Sequence, residues 1–473
     1  MTVNWKKEAE NRKEAFVAKT KELLSIPSVY DQTTAEPGKP SGKEVAKALD
    51  FMLQFCEESG FKTHNVDGYA AHAEYGDGDD IIGVLCHLDV VPAGDGWTSD
   101  PFQPEVRDGK LYARGAIDDK GPTMAAVFAL KMVKELGLPL NKRVRLIFGT
   151  DEEVGDWIGI KKYFEAEPMP LMGFAPDANF PLINAEKGIF NFHLVQQPGK
   201  VSTERQDGWR LQSFTSGNAT NMVPDLAEAT LVGTSDVFAV KERFQSYVME
   251  HGLEGKCEER KGQLYIRIKG VSHHGMEPDQ GLNAGLTLAR FLNVLDLDAR
   301  GHQFIGLVHD YFVDSFFGEK LGIAFSDEVT GPLTVNVGTL NYAYDGEARL
   351  GISLRYPVSD RSERFVPAIE AAGERYGFAL GKDVMDQVPH HVAKEHELVQ
   401  TLLKVYSEQM GENAEPLSTG GGTYGRALDV GVAFGALFPG EPETAHQRDE
   451  NADVDNLCRA MAIYAQAIYE LAK

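Results

Sequence analysis

An almost continuous apolar run at residues 81–92, IIGVLCHLDVVP, constrains the fold of this chain more than any other feature. Only His87 and Asp89 interrupt it. A run of this kind is typical of a strand that is buried on both faces of a parallel sheet. Charged side chains are rarely buried unless they are paired or bind a metal ion. The fold must therefore supply partners for an imidazole and a carboxylate at the end of a buried strand.

Other segments extend this pattern into an alternation of strands and helices. Residues 120–137 predict a helix, and VRLIFGT at 144–150 is the next apolar strand. VAFGALFPG at 432–440 predicts a further buried strand, and residues 3–26 predict one amphipathic helix. Strand–helix–strand alternation is typical of an α/β layer with right-handed crossovers. We therefore predict an α/β fold with a mostly parallel sheet flanked by helices.

The middle of the chain has a different character. A chain of 473 residues is too long for one compact domain. After Gly188, segments such as IFNFHLVQQ at 189–197 alternate between apolar and polar residues, as antiparallel strands do. We therefore predict that residues 1–186 and 386–473 form one α/β domain, and that residues 187–385 form a large α+β domain inserted in it.

Charge and composition exclude several classes of partner. The formal net charge is −24, with 71 Asp and Glu against 47 Lys and Arg, so the surface would repel nucleic acid and anionic membranes. No apolar run approaches the roughly 18 residues that a membrane span needs. The 4 cysteines lie far apart without a CxxC pair, and the N-terminus has no apolar signal region, so we predict a reducing, cytoplasmic location.

Ionisable side chains at or near the ends of predicted buried strands are the candidate site: His87, Asp118, Glu152, Glu153, Asp177 and His446. One such residue alone is more often an ordinary polar residue. Several in one α/β domain favour a shared site, because ligands gather beyond the carboxyl ends of strands. Imidazole nitrogen and carboxylate oxygen suit zinc, and also manganese or cobalt. The carboxylates are too few for two metal ions unless one carboxylate is shared, so one should bridge the ions. In the adjacent Glu pair, one carboxylate can bind metal while its neighbour transfers protons.

The order of four motifs resembles that of a known family: CHLDVVP (86–92), RGAIDDKGP (114–122), GTDEE (149–153) and PDAN (176–179). They look like the motifs of the co-catalytic zinc aminoacylase and carboxypeptidase-type metallopeptidases. The chain is most similar to the PepV-type dipeptidases, which are also called Xaa-His or carnosinase-like dipeptidases. Later motifs extend the resemblance over essentially the whole chain: NMVPD (221–225), GVSHHGMEPDQGLNA (270–284), LRYP (354–357), STGGGTYGR (418–426) and ALFPGEPETAHQRDEN (436–451).

The resemblance implies a zinc-peptidase-type catalytic domain, an inserted lid domain and two Zn²⁺ ions per subunit, for which Mn²⁺ or Co²⁺ can substitute. Asp118 would bridge the two ions. His87 and Asp177 would complete the protein ligands of the first ion, and Glu153 and His446 those of the second.

The resemblance also implies separate roles for the acidic residues near the ions. Asp89 would hold the free ring nitrogen of His87, as carboxylates commonly do for metal-bound histidines. Glu152 would act as general base on a water that the two ions activate, and then as general acid toward the leaving amine. The peptide bond between Asp118 and Asp119 would be cis, as in relatives.

A histidine in the inserted domain would donate to the oxyanion of the tetrahedral intermediate. In relatives it lies four residues after a glycine and four before a proline, and Gly270 and Pro278 place it at His274. His273 occupies a position that a smaller residue usually holds, and we interpret it as a polar loop or strand residue.

The substrate contacts that the resemblance implies are Asn221 and Arg355 in the lid, and Gly421, Gly422 and Thr423 in a glycine-rich loop. An arginine fork can bind the C-terminal carboxylate of a peptide in a bidentate way. Without the resemblance, Arg355 would equally suit a solvent-facing strand position. Glycines let backbone amides approach a ligand closely, although the same run would also suit a plain turn.

Three functions are compatible with these residues. They are a dipeptidase that hydrolyses unblocked dipeptides, an N-acyl amino-acid deacylase or desuccinylase with the same metal centre, and a non-catalytic peptide-binding relative. The presence of every implied ligand and of Glu152 disfavours the third. The segment 187–385 is about twice as long as a compact unit of roughly 100 residues needs, as in PepV-type relatives whose duplicated lid replaces a dimer partner. We therefore predict a monomeric dipeptidase with a dipeptide as substrate, and a homodimer is the alternative.

Overall fold

The computed structural model describes residues 3–197, 208–233 and 236–473. Its α-helices are α1 (Trp5–Glu10), α2 (Lys13–Leu24), α3 (Lys43–Glu58), α4 (Lys120–Glu135), α5 (Ile158–Ala166), α6 (Val237–Glu250), α7 (Ala284–Leu292), α8 (Ala299–Tyr311), α9 (Ser362–Arg375), α10 (Glu397–Met410) and α11 (Val454–Ala472). Its strands are β1 (Lys62–Val66), β2 (Ala70–Tyr75), β3 (Ile81–His87), β4 (Glu105–Arg107), β5 (Lys110–Tyr112), β6 (Arg143–Gly149), β7 (Met172–Ala175), β8 (Ala178–Asn179), β9 (Ile183–Glu186), β10 (Gly188–Gln196), β11 (Arg210–Ser216), β12 (Leu226–Val232), β13 (Glu254–Arg260), β14 (Gln263–Lys269), β15 (Ser326–Asp327), β16 (Gly331–Pro332), β17 (Thr334–Ala343), β18 (Ala348–Tyr356), β19 (Phe378–Leu380), β20 (Met385–Gln387), β21 (His390–His391), β22 (Leu417–Thr419), β23 (Gly431–Ala433), β24 (Ala436–Leu437) and β25 (Asn451–Asp453). Short 3-10 turns lie at Gln32–Thr34, Pro278–Gln280 and Tyr424–Ala427.

The chain divides into two compact units. Unit 1 comprises Met1–Ala185, His391–Ser418 and Gly422–Lys473, and unit 2 comprises Glu186–His390 with Thr419–Gly421. Unit 2 extends beyond the boundary predicted at residue 385, because β20 pairs with β10 and so belongs to the sheet of unit 2.

The sheet of unit 1 is parallel at its centre and antiparallel toward its edges. Strands β6, β3, β7 and β23 lie side by side in that order and run parallel. β2 pairs antiparallel with β6 on one side, and β9 pairs antiparallel with β23 on the other. All residues of β3 are buried, as the apolar run at 81–92 predicts for a central strand.

Helices cover both faces of this sheet. Val84 and Cys86 of β3 contribute to a large apolar core that also contains residues of α1, α2, α3, α4, α10 and α11. Leu85 contributes to a smaller core with residues of α5 and of the turn at Tyr424–Ala427. Because successive side chains of a strand point to opposite faces, these two cores lie on the two sides of the sheet. Unit 1 is therefore the predicted α/β layer.

The single helix predicted over residues 3–26 is instead two helices, α1 and α2. The N–H of Arg12 bonds the carbonyl of Ala9 at 2.9 Å, and the Arg12 guanidinium bonds the carbonyl of Glu8 at 2.8 Å. In a continuous α-helix, the carbonyl of Glu8 would accept the N–H of Arg12. The helix therefore breaks at Arg12, where the guanidinium bonds a carbonyl that the backbone N–H no longer reaches.

Unit 2 is built on an antiparallel sheet with the strand order β13-β14-β12-β11-β17-β18-β10-β19. In β10, Phe190, Phe192 and Leu194 belong to an apolar core that includes residues of α6, α7, α8 and α9. Asn191 and His193 alternate with them and point to the opposite face. This alternation is the one predicted for antiparallel strands, and it makes unit 2 an α+β unit.

Two further features concern the chain as a whole. Within the ranges that the structure describes, no helix has both the length and the apolar character that crossing a bilayer requires. The cysteines are free, and Cys56, Cys86 and Cys458 are buried.

Candidate metal centre

Four of the six candidate site residues lie at the carboxyl ends of the central parallel strands of unit 1. His87 is the last residue of β3, Glu152 and Glu153 follow β6, and Asp177 follows β7. Because these strands are parallel neighbours, their carboxyl ends meet at one edge of the sheet. Asp118 reaches the same edge from the segment that leads into α4.

The candidate ligands form two groups of three, and within each group one ligand atom of every member lies within 4.8 Å of the others: His87, Glu152 and Asp177, and Asp118, Glu153 and His446. Asp118 connects the two groups. Its Oδ1 lies 3.0 Å from Nε2 of His87, and its Oδ2 lies 2.9 Å from Nε2 of His446. A carboxylate with one oxygen toward each group has the arrangement that a bridging ligand needs.

The chemistry of this donor set fits divalent cations. Nε2 of His446 lies 3.0 Å from Oε2 of Glu153, and Nε2 of His87 lies 3.6 Å from Oδ2 of Asp177. Across the two groups, four carboxyl groups surround two imidazoles. When ionised, the carboxylates carry an excess of negative charge that two divalent cations would balance. Imidazole nitrogen with carboxylate oxygen is a donor combination that zinc, manganese and cobalt accept.

Burial and neighbouring charges perturb the pKa values of these groups. Burial raises the pKa of Glu152 well above its usual range, and burial with the charge of Asp118 raises the pKa of Glu153 to about 7. Burial would lower the pKa of His446, but hydrogen bonds to Asp118 and Glu153 outweigh it and raise this pKa to about 11. Burial also opposes ionisation of Asp118, but hydrogen bonds from His446 and His87 hold its pKa below its usual range. Such clustered shifts of pKa are typical of functional sites.

Asp89 has no exposed surface and contacts both His87 and the Glu pair. Its backbone carbonyl lies 3.0 Å from Nδ1 of His87, and its carboxylate lies 3.5 Å from the same nitrogen. The backbone carbonyl of Asp89 is thus closer to Nδ1 than its carboxylate is, and the predicted role of the carboxylate toward His87 stays a prediction. The carboxylate accepts the backbone N–H groups of Glu152 at 3.1 Å and of Glu153 at 2.9 Å. It thereby holds the main chain of both glutamates.

The peptide bond between Asp118 and Asp119 is cis, as the resemblance implies. The side chain of Asp119 is fully buried. Its Oδ2 accepts the N–H of His87 at 3.2 Å and the hydroxyl of Thr123 at 2.9 Å. Asp119 therefore connects the start of α4 to the end of β3.

Three residues near the Glu pair, Trp157, Tyr424 and Asp151, have no predicted role in the site. Nε1 of Trp157 donates to the carbonyl of Glu152 at 2.9 Å. The hydroxyl of Tyr424 donates to Oδ1 of Asp151 at 2.9 Å, and its ring packs edge-on against Trp157 with centroids 5.2 Å apart. Asp151 lies inside the GTDEE motif, but no pattern pairs it with a tyrosine 273 positions later.

The lid residues predicted to contact substrate belong to unit 2. The carbonyl of Asn221 accepts the N–H of Gly275 at 2.7 Å, which brings Asn221 next to the loop of His274. Nδ1 of His274 accepts the N–H of Met276 at 3.1 Å, so a neutral ring carries its proton on Nε2. Arg355 on β18 is 4% exposed, which excludes the alternative of a solvent-facing strand position.

The glycine-rich loop has the hydrogen bonds of an ordinary turn. Oγ1 of Thr419 accepts the N–H of Gly421 at 3.0 Å. Oγ1 of Thr423 accepts the N–H of Gly425 at 3.0 Å and caps the turn that follows. Gly421 belongs to unit 2, whereas Gly422 and Thr423 belong to unit 1. Contact of these three residues with substrate stays a prediction.

His273 lies in the loop beside His274 and is partly exposed. Its carbonyl accepts the N–H of Val223 at 2.9 Å. Within the described part of the chain, its Nδ1 has no hydrogen-bond partner. These contacts suit the interpretation of His273 as a polar loop residue.

Known proteins resemble this chain in sequence and in fold. The sequence model of Peptidase family M20/M25/M40 matches residues 83–470. The "Putative dipeptidase YtjP" of Bacillus subtilis (strain 168) is 51% identical over 473 residues, which cover 100% of this chain and 100% of that protein. Human carnosine dipeptidase 1 has a TM-score of 0.59 at 16% identity, over 99% of this chain and 98% of that chain. Aminoacylhistidine dipeptidase from Vibrio alginolyticus has a TM-score of 0.57 at 12% identity, over 97% of this chain and 96% of that chain. With a family match over most of its length and a full-length relative at this identity, the chain belongs to Peptidase family M20/M25/M40.

Proposed function

We propose that this protein is a metal-dependent dipeptidase that hydrolyses the peptide bond of unblocked dipeptides. One observation carries the proposal: two groups of candidate ligands share the carboxylate of Asp118, with the carboxyl group of Glu152 at the same edge of the sheet. Membership of a peptidase family supplies the class of reaction. The dipeptidase names of the relatives support a small peptide as the substrate.

Two divalent cations fit the donor set in this proposal, zinc or alternatively manganese or cobalt. Asp118 would bridge the ions, His87 and Asp177 would bind the first, and Glu153 and His446 would bind the second. When bound, the ions would supply Lewis acidity to the scissile carbonyl and lower the pKa of water in the site.

Glu152 is the general base and then the general acid. Its carboxyl oxygen lies within 4.8 Å of ligand atoms of His87 and Asp177, so Glu152 is also a candidate third ligand there. We assign it to proton transfer, because Asp118 lies 3.0 Å from Nε2 of His87 and can fill this place. Asp89 holds its backbone, and burial raises its pKa. The carboxylate can therefore take a proton from the attacking water and deliver it to the leaving nitrogen.

Residues of unit 2 provide binding groups in this proposal. Arg355 would hold the C-terminal carboxylate of the dipeptide through its guanidinium fork. His274 would donate its Nε2–H to the oxyanion that forms at the scissile carbonyl. The hydrogen bond at Nδ1 of His274 supports its role, because it leaves the proton of a neutral ring on Nε2. The remaining substrate contacts would come from Asn221, Gly421, Gly422 and Thr423.

Glu152→Gln tests the assignment of the base. The variant should bind two metal ions and lose about 10²–10⁴-fold in kcat, because general acid–base catalysis contributes this much. Glu165→Gln, which changes an exposed glutamate on α5, is the matched control and should keep the wild-type kcat. If Glu152→Gln binds one ion fewer than the wild type, Glu152 is a ligand and the assignment is wrong.

A substrate panel separates the dipeptidase from the alternatives. Protein that has been chelated and reloaded with zinc or manganese should hydrolyse dipeptides faster than tripeptides or N-acyl amino acids. Faster hydrolysis of N-acetyl or N-succinyl amino acids would establish a deacylase or desuccinylase instead. Peptide binding without turnover at full metal loading would establish a non-catalytic relative.

We also propose that the protein acts as a monomer in the cytoplasm. The length of the segment 187–385 supports the monomer, and free cysteines suit a reducing compartment. Light scattering after size-exclusion chromatography should give the mass of one 473-residue chain. A doubled mass would establish the homodimer.

A further inference from the structure

A buried carboxylate outside the predicted ligands contacts the segment that leads to the shared ligand. Glu450 has no exposed surface. Its Oε2 accepts the guanidinium of Arg114 at 2.6 Å and the backbone N–H of Gly115 at 3.1 Å. Its Oε1 accepts the backbone N–H groups of Ile117 at 3.0 Å and of Asp118 at 3.2 Å. One side chain therefore satisfies four donors of a short segment that ends at Asp118.

Glu450 is also fixed to the segment that carries His446. It follows His446 by four positions and directly precedes β25, in which Asn451 pairs with Tyr112 of β5. The carbonyl of Glu450 accepts the N–H of Ala113 at 3.2 Å. The main chain and the side chain of Glu450 thus both connect the His446 segment to the residues before Asp118.

The backbone between His446 and Glu450 adopts an unfavourable conformation. His446 has φ of 62° and Asp449 has φ of 58°, in the left-handed region that residues other than glycine seldom adopt. The N–H and hydroxyl of Thr98 donate to Oδ1 of Asp449 at 2.8 Å and 2.9 Å. Such a turn persists only where its surroundings hold it, and Glu450 holds its buried end.

We propose that Glu450 is a positioning residue of the metal centre: it sets the separation of Asp118 and His446, and thereby the affinity for the second metal ion. The inference rests on the proposed function, since it requires that Asp118 and His446 bind metal. The four donors around the Glu450 carboxylate are all protein groups, so Glu450 would act through Asp118 and His446. Residues that orient metal ligands in this way typically contribute about 10- to 100-fold to metal affinity.

Glutamine has nearly the same shape as Glu450 but cannot replace it. A carboxylate offers two acceptor oxygens, whereas an amide offers one oxygen and one NH₂ donor. In either orientation, the NH₂ would face two of the donors that Glu450 satisfies, and Arg114 would lose its ion-pair partner. Residues 114–118 would have to shift, and Asp118 would move relative to His446.

The test compares Glu450→Gln with Glu74→Gln. Glu74 is the matched control, because it accepts from Arg145 in a largely buried ion pair of the same unit and its described bonds include no candidate ligand. Both variants should lower the thermal midpoint of the metal-free protein. Only Glu450→Gln should weaken binding of the second Co²⁺ ion by about 10-fold or more and change the visible absorption of the cobalt-loaded protein.

Glu450→Asp covers the case in which Glu450→Gln does not fold. It keeps the charge opposite Arg114 but shortens the side chain by one methylene, and it too should bind the second Co²⁺ ion about tenfold more weakly. Wild-type cobalt affinity in a folded Glu450 variant, or an equal loss of affinity in Glu74→Gln, would overturn the inference. Wild-type protein that binds fewer than two Co²⁺ ions would instead overturn the proposed function.

Discussion

A single buried carboxylate, that of Asp89, orders the residues proposed for proton transfer and metal binding. Each of its oxygens accepts one backbone N–H of two consecutive residues, Glu152 and Glu153. Hydrogen bonds to an ionised acceptor are roughly twice as strong as those between neutral groups. The main chain of the Glu pair therefore cannot rotate without breaking one of them. Asp89 acts on the Glu pair in this way, in addition to its contact with His87.

Asp89→Asn should lower kcat about 10- to 100-fold while the metal ions stay bound. Asparagine has one acceptor oxygen, so the N–H of either Glu152 or Glu153 loses its partner. Steady-state kinetics and metal analysis measure the two quantities separately. Asp95→Asn, in an exposed loop, is the control and should have the wild-type kcat. Wild-type kcat in Asp89→Asn would contradict this role.

Metal stoichiometry should distinguish the shared ligand from a terminal one. His446→Ala should retain about one ion per chain, because His87, Asp177 and Asp118 remain together. Asp118→Ala should lose both ions, because Asp118 offers one oxygen to each group. Elemental analysis of dialysed protein gives the counts. If the two variants hold equal numbers of ions, Asp118 is not the shared ligand.

Among the elements of unit 1, a polar network joins β2, β6 and α5. Arg145 on β6 donates to Glu74 on β2 at 2.9 Å and to Glu167, which follows α5, at 2.8 Å. Arg145 also donates to the hydroxyl of Tyr163 on α5 at 3.2 Å, and this hydroxyl lies 2.8 Å from Nδ1 of His72 on β2. Because Arg145 donates to the Tyr163 oxygen, the hydroxyl hydrogen can be donated to Nδ1, an arrangement that suits a neutral His72.

In the metal-free protein, protonation of His72 should cost about 1 kcal/mol of stability as the pH falls from 6.5 to 5.5. Burial and the charge of Arg145 lower the pKa of His72 to about 3, whereas an unfolded histidine titrates near 6.5. The unfolded chain therefore binds the proton first, so the loss begins near pH 6.5 and grows until the pH approaches 3. From pH 7.5 to pH 5.5, the shift in the thermal midpoint of unit 1 should be more favourable in His72→Gln than in the wild type, because the variant lacks this contribution while the other groups titrate in both proteins. Equal shifts in the two proteins would contradict this account.

The helices and strands that could be predicted are those in which consecutive apolar residues indicate a buried segment. The runs at 81–92 and 144–150 form β3 and β6, because an apolar run of this kind is buried wherever its neighbours come from. The break between α1 and α2 could not be predicted, because no glycine or proline marks it in the sequence, and the Arg12 guanidinium at the break bonds Glu135 of α4 at 2.9 Å. Long-range side-chain contacts of this kind leave no periodic signal.

The same distinction applies within the site. The ligand candidates could be proposed from motif order, and the structure brings all of them to one edge of a sheet. Glu450 belongs to the segment HQRDEN, and the sequence does not distinguish it from the charged residues beside it. Only its burial in the structure does so. Tyr424 was missed because its partner Asp151 is far away in the sequence.

At the scale of the whole molecule, each unit has its own apolar core. The large core of unit 1 contains residues from both of its main segments, for example Val84 and Met461. Among the residues that the structure describes, the buried members of the core of unit 2 lie between Phe190 and Phe378. All candidate metal ligands lie in unit 1, so metal binding should stabilise unit 1 directly.

Calorimetry should therefore resolve two unfolding transitions, of which chelation lowers only one. A ligand that binds the native state raises the midpoint of the unit that binds it, so EDTA should lower the midpoint of unit 1. The midpoint of unit 2 should not move. His72→Gln assigns the transitions, because it alters unit 1 alone. A single transition that shifts as a whole would contradict the independence of the two cores.

The division of unit 1 into segments on either side of unit 2 determines the order in which its parts leave the ribosome. His87, Asp118 and Glu153 emerge early, the whole of unit 2 follows, and only then does His446 appear. Until α10 and α11 are synthesised, the apolar side chains of α4 that they help to bury lack these partners. Apolar residues of the unit 1 core therefore stay exposed on the nascent polypeptide while unit 2 is synthesised. Binding by chaperones would matter most during this period. If His446 is a ligand of the second ion, as proposed, that ion would gain its full set of protein ligands only after translation has passed His446.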